Sequence, residues 1–275
     1  MPDKQTHFKL SNGYQIPQLG LGVWQASQDE ARSAVRAAIE MGYRHVDTAA
    51  VYENEEGVGQ GLRESGVPRE QIFVTTKVWN DSHGETLTRA AVEASLKRLD
   101  VEYVDLLLIH WPVPSKDKYV ETWQTLMEIQ REGKARSIGV SNFNRDHLER
   151  LISETGFAPV LNQIELHPFF NQKQLRDDHK ALDILTQSWS PLGQGSALSD
   201  PVILKIAEKY EKSAAQVIIR WHVELGLIAI PKSVTAARIR ENLDVFDFSL
   251  DASDLAAIAG LHSGKRLGPD PMELT

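Results

Sequence analysis

The chain contains no cysteine, which excludes disulfides, thiolate metal sites and cysteine nucleophiles together. That absence fits a reducing compartment without requiring one. Nor is there anywhere a run of about 18 apolar residues, the length a membrane-spanning helix needs, and the opening MPDKQTHFKL has no apolar stretch of the secretory kind. A soluble, cytoplasmic protein is therefore expected. Blocks of basic charge are missing as well: 30 Lys and Arg face 38 Asp and Glu, for a formal charge of -8, whereas binding a phosphate backbone needs a basic face. This argues against nucleic acid and for a small-molecule partner. The histidines show no metal-ligand spacing, so no metal site is expected, and His83, His167 and His222 read as structural or exposed. Finally, no Pro- or Ser-rich linker divides the chain. We expect one domain covering residues 1–275, without a membrane segment and acting as a monomer.

What is present is an alternation. With 41% hydrophobic residues over 275, the chain can bury a large core. A hairpin opens it, Phe8 to Leu10 and Tyr14 to Ile16 flanking the turn signal Ser11-Asn12-Gly13. Short apolar runs then recur at 19–22, 43–47, 72–77, 104–110, 136–142, 160–165, 183–189 and 227–233. Between them lie amphipathic stretches such as 29–42 and 86–99, with apolar residues recurring at three and four. Eight strand–helix units in one chain predict a closed (β/α)8 TIM barrel with a short N-terminal β-hairpin, in the α/β class. The competing open, doubly wound sheet wants a G-x-G-x-x-G turn after its first strand. Gly57, Gly59 and Gly61 have the wrong spacing and sit inside a helical pattern, where they predict close helix packing.

In such a barrel the chemistry gathers at the carboxyl ends of the strands. The predicted runs finish on Asp47, Lys77, His110, Ser141 with Asn142, Gln163, Trp189 with Ser190, and Lys232 with Ser233. A carboxylate, an amine, an imidazole and several hydrogen-bonding groups on one rim are the materials of an assembled site. A carbonyl accepting hydride develops negative charge on oxygen and needs a proton donor. Tyr52, in the loop after the second barrel strand, can be that donor. Lys77 would lower its pKa from about 10, Asp47 would hold Lys77 charged, and His110 would orient the carbonyl. Each residue also has an ordinary structural reading: Asp47 capping its loop, Tyr52 packing, Lys77 solvated, His110 satisfied in the core. Trp24, Trp79 and Trp111, just past strands, read equally as pocket walls and as loop anchors. A lysine on a barrel strand can also form a Schiff base, so Lys77 or Lys232 keeps an aldolase open as an alternative.

The stretches GYRHVDTAAVYENEEGVG, FVTTKVWN, LLLIHWP, SIGVSNF, NQIELHP, SWSPLGQG and IPKSVTAARIRENL resemble, in order and separation, the signatures of the aldo-keto reductase family, and they cover nearly the whole chain. Within it the chain is most similar to the bacterial 2,5-diketo-D-gluconate reductases, particularly in LGLGVWQAS near the start, HWPVPSKDKYVETW in the middle and GKRLGPDP at the end. The resemblance implies NADPH-dependent reduction of aldehydes and ketones, with substrates such as methylglyoxal, β-keto esters or 2,5-diketo-D-gluconate, and a catalytic tetrad of Asp47, Tyr52, Lys77 and His110. It further implies that Ser141, Asn142 and Gln163 hold the nicotinamide carboxamide and that Trp189 stacks on the ring. Ser190, Pro191, Leu192, Gly193 and Gln194 would pass over the pyrophosphate. Lys232, Ser233 and Arg238 would take the 2′-phosphate, with Val234 beside the cofactor, although the residues alone fit an exposed basic helix equally well. Glu241 and Asn242 would lie near the adenine, Gly22, Val23 and Trp24 beside the cofactor, and Trp24, Trp79, His110 and Trp111 around the substrate. Some barrels of this family serve instead as cofactor-binding regulatory subunits. Lys265 and Arg266 in the tail, or Lys116, are candidate cations for an acidic sugar.

Overall fold

The computed structural model describes residues 6–274. Strands β1 (His7–Lys9) and β2 (Gln15–Pro17) pair antiparallel with Phe8 opposite Ile16, one residue displaced from the expected hairpin. Eight parallel strands follow: β3 (Leu21–Gly22), β4 (His45–Asp47), β5 (Phe73–Val78), β6 (Val104–Ile109), β7 (Ala135–Ser141), β8 (Leu161–Glu165), β9 (Leu185–Trp189) and β10 (Ile228–Ala229). Each pairs with its neighbours in chain order. Isolated parallel bridges from Leu19 to Ala229 and from Gly22 to Lys232 join the first barrel strand to the last, with Gly20 N–H donating to Ala229 O at 2.9 Å. The sheet thus closes, as the eightfold alternation predicts.

Among the described residues, ten α-helices run between and after these strands: α1 (Gln28–Met41), α2 (Glu55–Glu64), α3 (Glu85–Leu99), α4 (Tyr119–Arg131), α5 (Arg145–Thr155), α6 (Lys173–Ala181), α7 (Pro201–Tyr210), α8 (Ala214–Glu224), α9 (Ala236–Leu243) and α10 (Ala252–Ala259). Helix α1 shows why they form where they do. Ser27 and Glu30 make a reciprocal capping box, Gly42 ends the helix in the left-handed region, and the buried residues Ala31, Ala34, Val35, Ala38 and Ile39 fall on one stripe. In β6 every residue is buried, because a parallel barrel strand is covered on both faces. The Gly57 and Gly59 reading also holds. A Cβ at these positions would come within 2.1 Å of Gln28 O and 2.2 Å of Leu99 O, so only glycine lets α2 approach its neighbours this closely.

Two apolar layers result. Outside the barrel, Ile39, Val46, Val74, Leu107, Ile109, Trp123 and Val140 pack strands against helices. Inside, Phe73, Leu106, Leu108, Leu161 and Ile228 stack on Leu10 and Ile16 from the hairpin region. The amino end of the barrel is therefore plugged with hydrocarbon, each such side chain contributing about 1.5–3 kcal/mol on burial. No helix of the described residues is long and apolar enough to cross a membrane.

Candidate active site

A cavity of about 520 Å³ opens at the carboxyl end, within the range of small-molecule sites. Asp47, the last residue of β4, and Lys77, in β5, meet beneath it with Lys77 Nζ 2.6 Å from Asp47 Oδ1. Both are almost fully buried. Lys77 Nζ also donates to Thr48 O at 2.8 Å and to the Tyr52 hydroxyl at 3.4 Å. Tyr52 is brought there by a single 3-10 turn, Ala50–Tyr52, between β4 and α2. His110 completes the group, packed edge-on to Tyr52 with ring centres 5.7 Å apart and to Trp79 at 5.0 Å. The three residues chosen from strand ends, Asp47, Lys77 and His110, therefore stand together with Tyr52 from the loop.

Their electrostatics follow from depth. Burial works to lower the pKa of the Lys77 ammonium, but Asp47 and the Tyr52 hydroxyl together raise it above its usual value. The amine stays charged. For the Tyr52 phenol, burial pushes the pKa up, and the opposing pull of Lys77 offsets this only in part. The expected lowering by Lys77 is thus present as an influence but does not prevail, because burial outweighs it and the Asp47 carboxylate adds to the rise. Burial, and secondarily Lys77, hold His110 well below the ordinary imidazole range, so the ring is neutral. A protonated phenol and a neutral imidazole at the floor of a cavity can both donate hydrogen bonds to a carbonyl oxygen.

The candidate cofactor residues divide. Asn142, in the left-handed region at φ 64°, donates from Nδ2 to His110 O at 3.0 Å and accepts from Trp189 Nε1 at 2.7 Å. Gln163 Nε2 donates to Asp47 Oδ2 and to Gln187 Oε1, both at 2.7 Å. A carboxylate only accepts, so this amide has one orientation, with both hydrogens spent and its carbonyl oxygen left over. Gly22, Trp24, Asn142, Gln163, Trp189, Ser190, Gln194 and Lys232 line the cavity, as do Trp79, His110 and Trp111. Ser141 and Val23 do not. Ser141 is buried, donating to Gln163 O at 2.8 Å, and Val23 lies in the core, its carbonyl accepting from Asn54. Pro191, Leu192 and Gly193 form the turn after Trp189, just beyond the lining. Ser233, Val234, Arg238, Glu241 and Asn242 gather around α9, where Lys232 and Arg238 are exposed while Ser233 and Asn242 are buried.

The tail cations are placed elsewhere. Arg266 lies over the Phe170 ring at 4.6 Å, Lys116 donates to Asn80 O at 3.1 Å, and Lys265 is exposed. None of the three lines the cavity. His83, His167 and His222 are all buried. Sequence reasoning missed Gln25, Val51, Ile230, Leu267, Gly268, Pro269 and Leu274, which do line it; the GKRLGPDP stretch carried the only signal for the tail. It also passed over Glu165, Asn54 and Gln187, whose roles are contacts that no spacing announces.

The aldo/keto reductase family model matches residues 17–262. An aldo-keto reductase of Mycolicibacterium smegmatis is 56% identical over 262 residues, 95% of each chain. The methylglyoxal reductase DkgA of Escherichia coli is 54% identical over 268 residues, 97% of each. A solved structure, a mutant of Gox0644 in complex with NADPH, is 50% identical with a TM-score of 0.95, covering 98% of this chain and 99% of that one. The chain belongs to the aldo/keto reductase family. It is an oxidoreductase of the NADP(H)-dependent class.

Proposed function

We propose that this enzyme reduces small uncharged carbonyl compounds, 2-oxoaldehydes such as methylglyoxal and β-keto esters, with Tyr52 as the proton donor. The observation that carries the reading is Lys77, its ammonium held between Asp47 and the Tyr52 hydroxyl at the cavity floor. As charge develops on the carbonyl oxygen, the phenol gives up its proton and the adjacent ammonium stabilises the phenolate left behind. Neutral His110 orients the same oxygen.

The residues fit a nicotinamide cofactor. The free carbonyl oxygen of Gln163 suits the N–H of a carboxamide, Trp189 offers a face for stacking, and the exposed Lys232 and Arg238 suit a 2′-phosphate near the start of α9. When bound, the reduced cofactor supplies the hydride. The cavity is complete within one chain, which supports a monomer, and the absence of any membrane-length helix among the described residues is compatible with a cytoplasmic enzyme.

The walls support an uncharged substrate. Trp24, Trp79 and Trp111 share the lining with Val51, Leu267 and Leu274, and the lining cation Lys232 is the one assigned to the 2′-phosphate. With Arg266 on Phe170, 2,5-diketo-D-gluconate has no evident partner for its carboxylate. A Schiff-base aldolase is disfavoured because the Lys77 amine is charged and fully engaged. The test is NADPH oxidation by wild type and Tyr52→Phe, with methylglyoxal, a β-keto ester and 2,5-diketo-D-gluconate. Loss of the acid should cost roughly 100- to 10,000-fold in kcat, with higher kcat/KM for the neutral carbonyls in wild type. Turnover near wild type in Tyr52→Phe would refute the mechanism, and preference for the acid sugar would refute the substrate class.

A further inference from the structure

Beyond α10 the described residues form no α-helix or strand, yet the chain returns to the cavity and supplies part of its wall through Leu267, Gly268, Pro269 and Leu274. What holds it there is Glu165, the last residue of β8, 1% exposed. Its Oε1 accepts the Leu267 N–H at 2.6 Å and its Oε2 the Gly268 N–H at 2.9 Å. His167 Nε2 lies 3.0 Å from Oε1, and since an ionised carboxylate only accepts, that nitrogen carries the proton. Burial works to raise the carboxyl pKa, but His167 and the two amides bring it below its ordinary value. The pair of peptides is thus gripped by a charge. Gly268 fits tightly: a Cβ there would come within 2.5 Å of Trp189 Cη2 and 3.2 Å of Glu165 Oε2. Upstream the tail is tethered by Ser263 N–H to Phe169 O at 3.0 Å and by Arg266 over Phe170. These contacts fix its course but do not line the cavity.

We propose that Glu165 is a specificity-determining positioning residue, holding the Leu267–Gly268 peptides so that the tail forms the wall that meets the part of the substrate remote from the carbonyl. The proposal rests on the carbonyl-reductase reading. Glu165 acts through the tail and touches neither the carbonyl site nor the Asp47–Lys77–Tyr52 group.

Two aldehydes with the same reacting centre separate this role from a general effect on folding: methylglyoxal, whose methyl stays near the floor, and phenylglyoxal, whose ring reaches the wall. In Glu165→Gln, KM for phenylglyoxal should rise roughly tenfold, and that for methylglyoxal by less than about threefold. Hydrogen exchange at the Leu267 and Gly268 amides should quicken in the same variant. Leu267→Pro, which leaves Glu165 intact and deletes one of the two donors, should give the same split from the tail side. Equal KM changes for both aldehydes, a lowered Tm with no KM change, or unaltered exchange in Glu165→Gln would each overturn the clamp. If the wild type oxidises NADPH with neither aldehyde, the proposed function fails, while the exchange rates still decide whether Glu165 holds the tail.

Discussion

Lys77 has three hydrogens to donate, and the fold gives each an acceptor: Asp47, the Thr48 carbonyl and the Tyr52 hydroxyl. Removing the ammonium therefore does two separable things. It takes away the charge that stabilises a phenolate, and it strands a buried carboxylate. Lys77→Met should lower turnover about as far as Tyr52→Phe, in the range of roughly 100-fold or more, but should also destabilise the fold by about 3–5 kcal/mol, the usual result of orphaning one partner of a buried pair. Tyr52→Phe, at the edge of the same group, should cost far less stability. Urea melts of the two variants check this: equal losses would mean that the Asp47–Lys77 pair is not the buried charge pair described. Both residues were legible in the sequence because strand ends at the carboxyl rim are few and these were charged. The net direction of the phenol shift was not legible, since it depends on depth, and depth belongs to the folded chain.

At the scale of elements, the loop from β4 to α2 decides where Tyr52 stands, and Asn54 decides the loop. Fully buried, Asn54 accepts from Thr48 Oγ1 at 2.8 Å and donates to Val23 O and Ala26 O at 2.9 and 3.0 Å. It ties the tyrosine turn to the segment leaving β3. One residue on, Glu55 is pinned between Thr76 Oγ1 at 2.5 Å and Arg98, fastening α2 to β5 and α3. Asn54→Ala takes the amide donor from Ala26 O and the acceptor from Thr48 Oγ1, while Val23 O keeps the Ala26 N–H at 3.0 Å. Each lost buried partner costs about 1–3 kcal/mol, so a loss of a few kcal/mol in urea stability is expected, together with lower kcat. A stability change under about 1 kcal/mol would show that the loop is held by other contacts. The strands and helices flanking this loop followed from apolar periodicity. Asn54 did not, because ENEE reads along the chain as a solvated helix start, and only the approach of Val23 from another element turns it inward.

For the whole molecule, the barrel was legible from eight repeats of one alternation, and its least regular part is the seam. There β3 and β10 are two residues each, shorter than the apolar runs at 19–22 and 227–233, since closure is made by isolated bridges flanking the strands. Packing helices and loops onto the barrel buries imidazoles along with His45 of β4, and that has a consequence for acid stability. Burial lowers the pKa of His45 to about 3 and those of His83, His179 and His222 to about 4. Unfolded, these rings titrate near 6.5. Between about pH 6.5 and 4 the unfolded chain therefore binds more protons than the native one, so stability that is full above pH 6.5 is lost as the pH falls through this window. Each histidine contributes about 1.4 kcal/mol per pH unit there. Four acting together would consume a typical stability of about 5–15 kcal/mol within one to three units. The carboxylates act later: Asp251, held below its ordinary pKa by Lys209, gives up its contribution only as the pH falls below the unfolded value of about 3.9. The urea midpoint should accordingly begin to fall near pH 6.5 and should have dropped clearly by about pH 4.5, before the carboxylates titrate. A midpoint that stays level from pH 6.5 to 4.5 and drops only in the carboxylate range would mean that these histidines are protonated, or accessible to protons, in the native barrel.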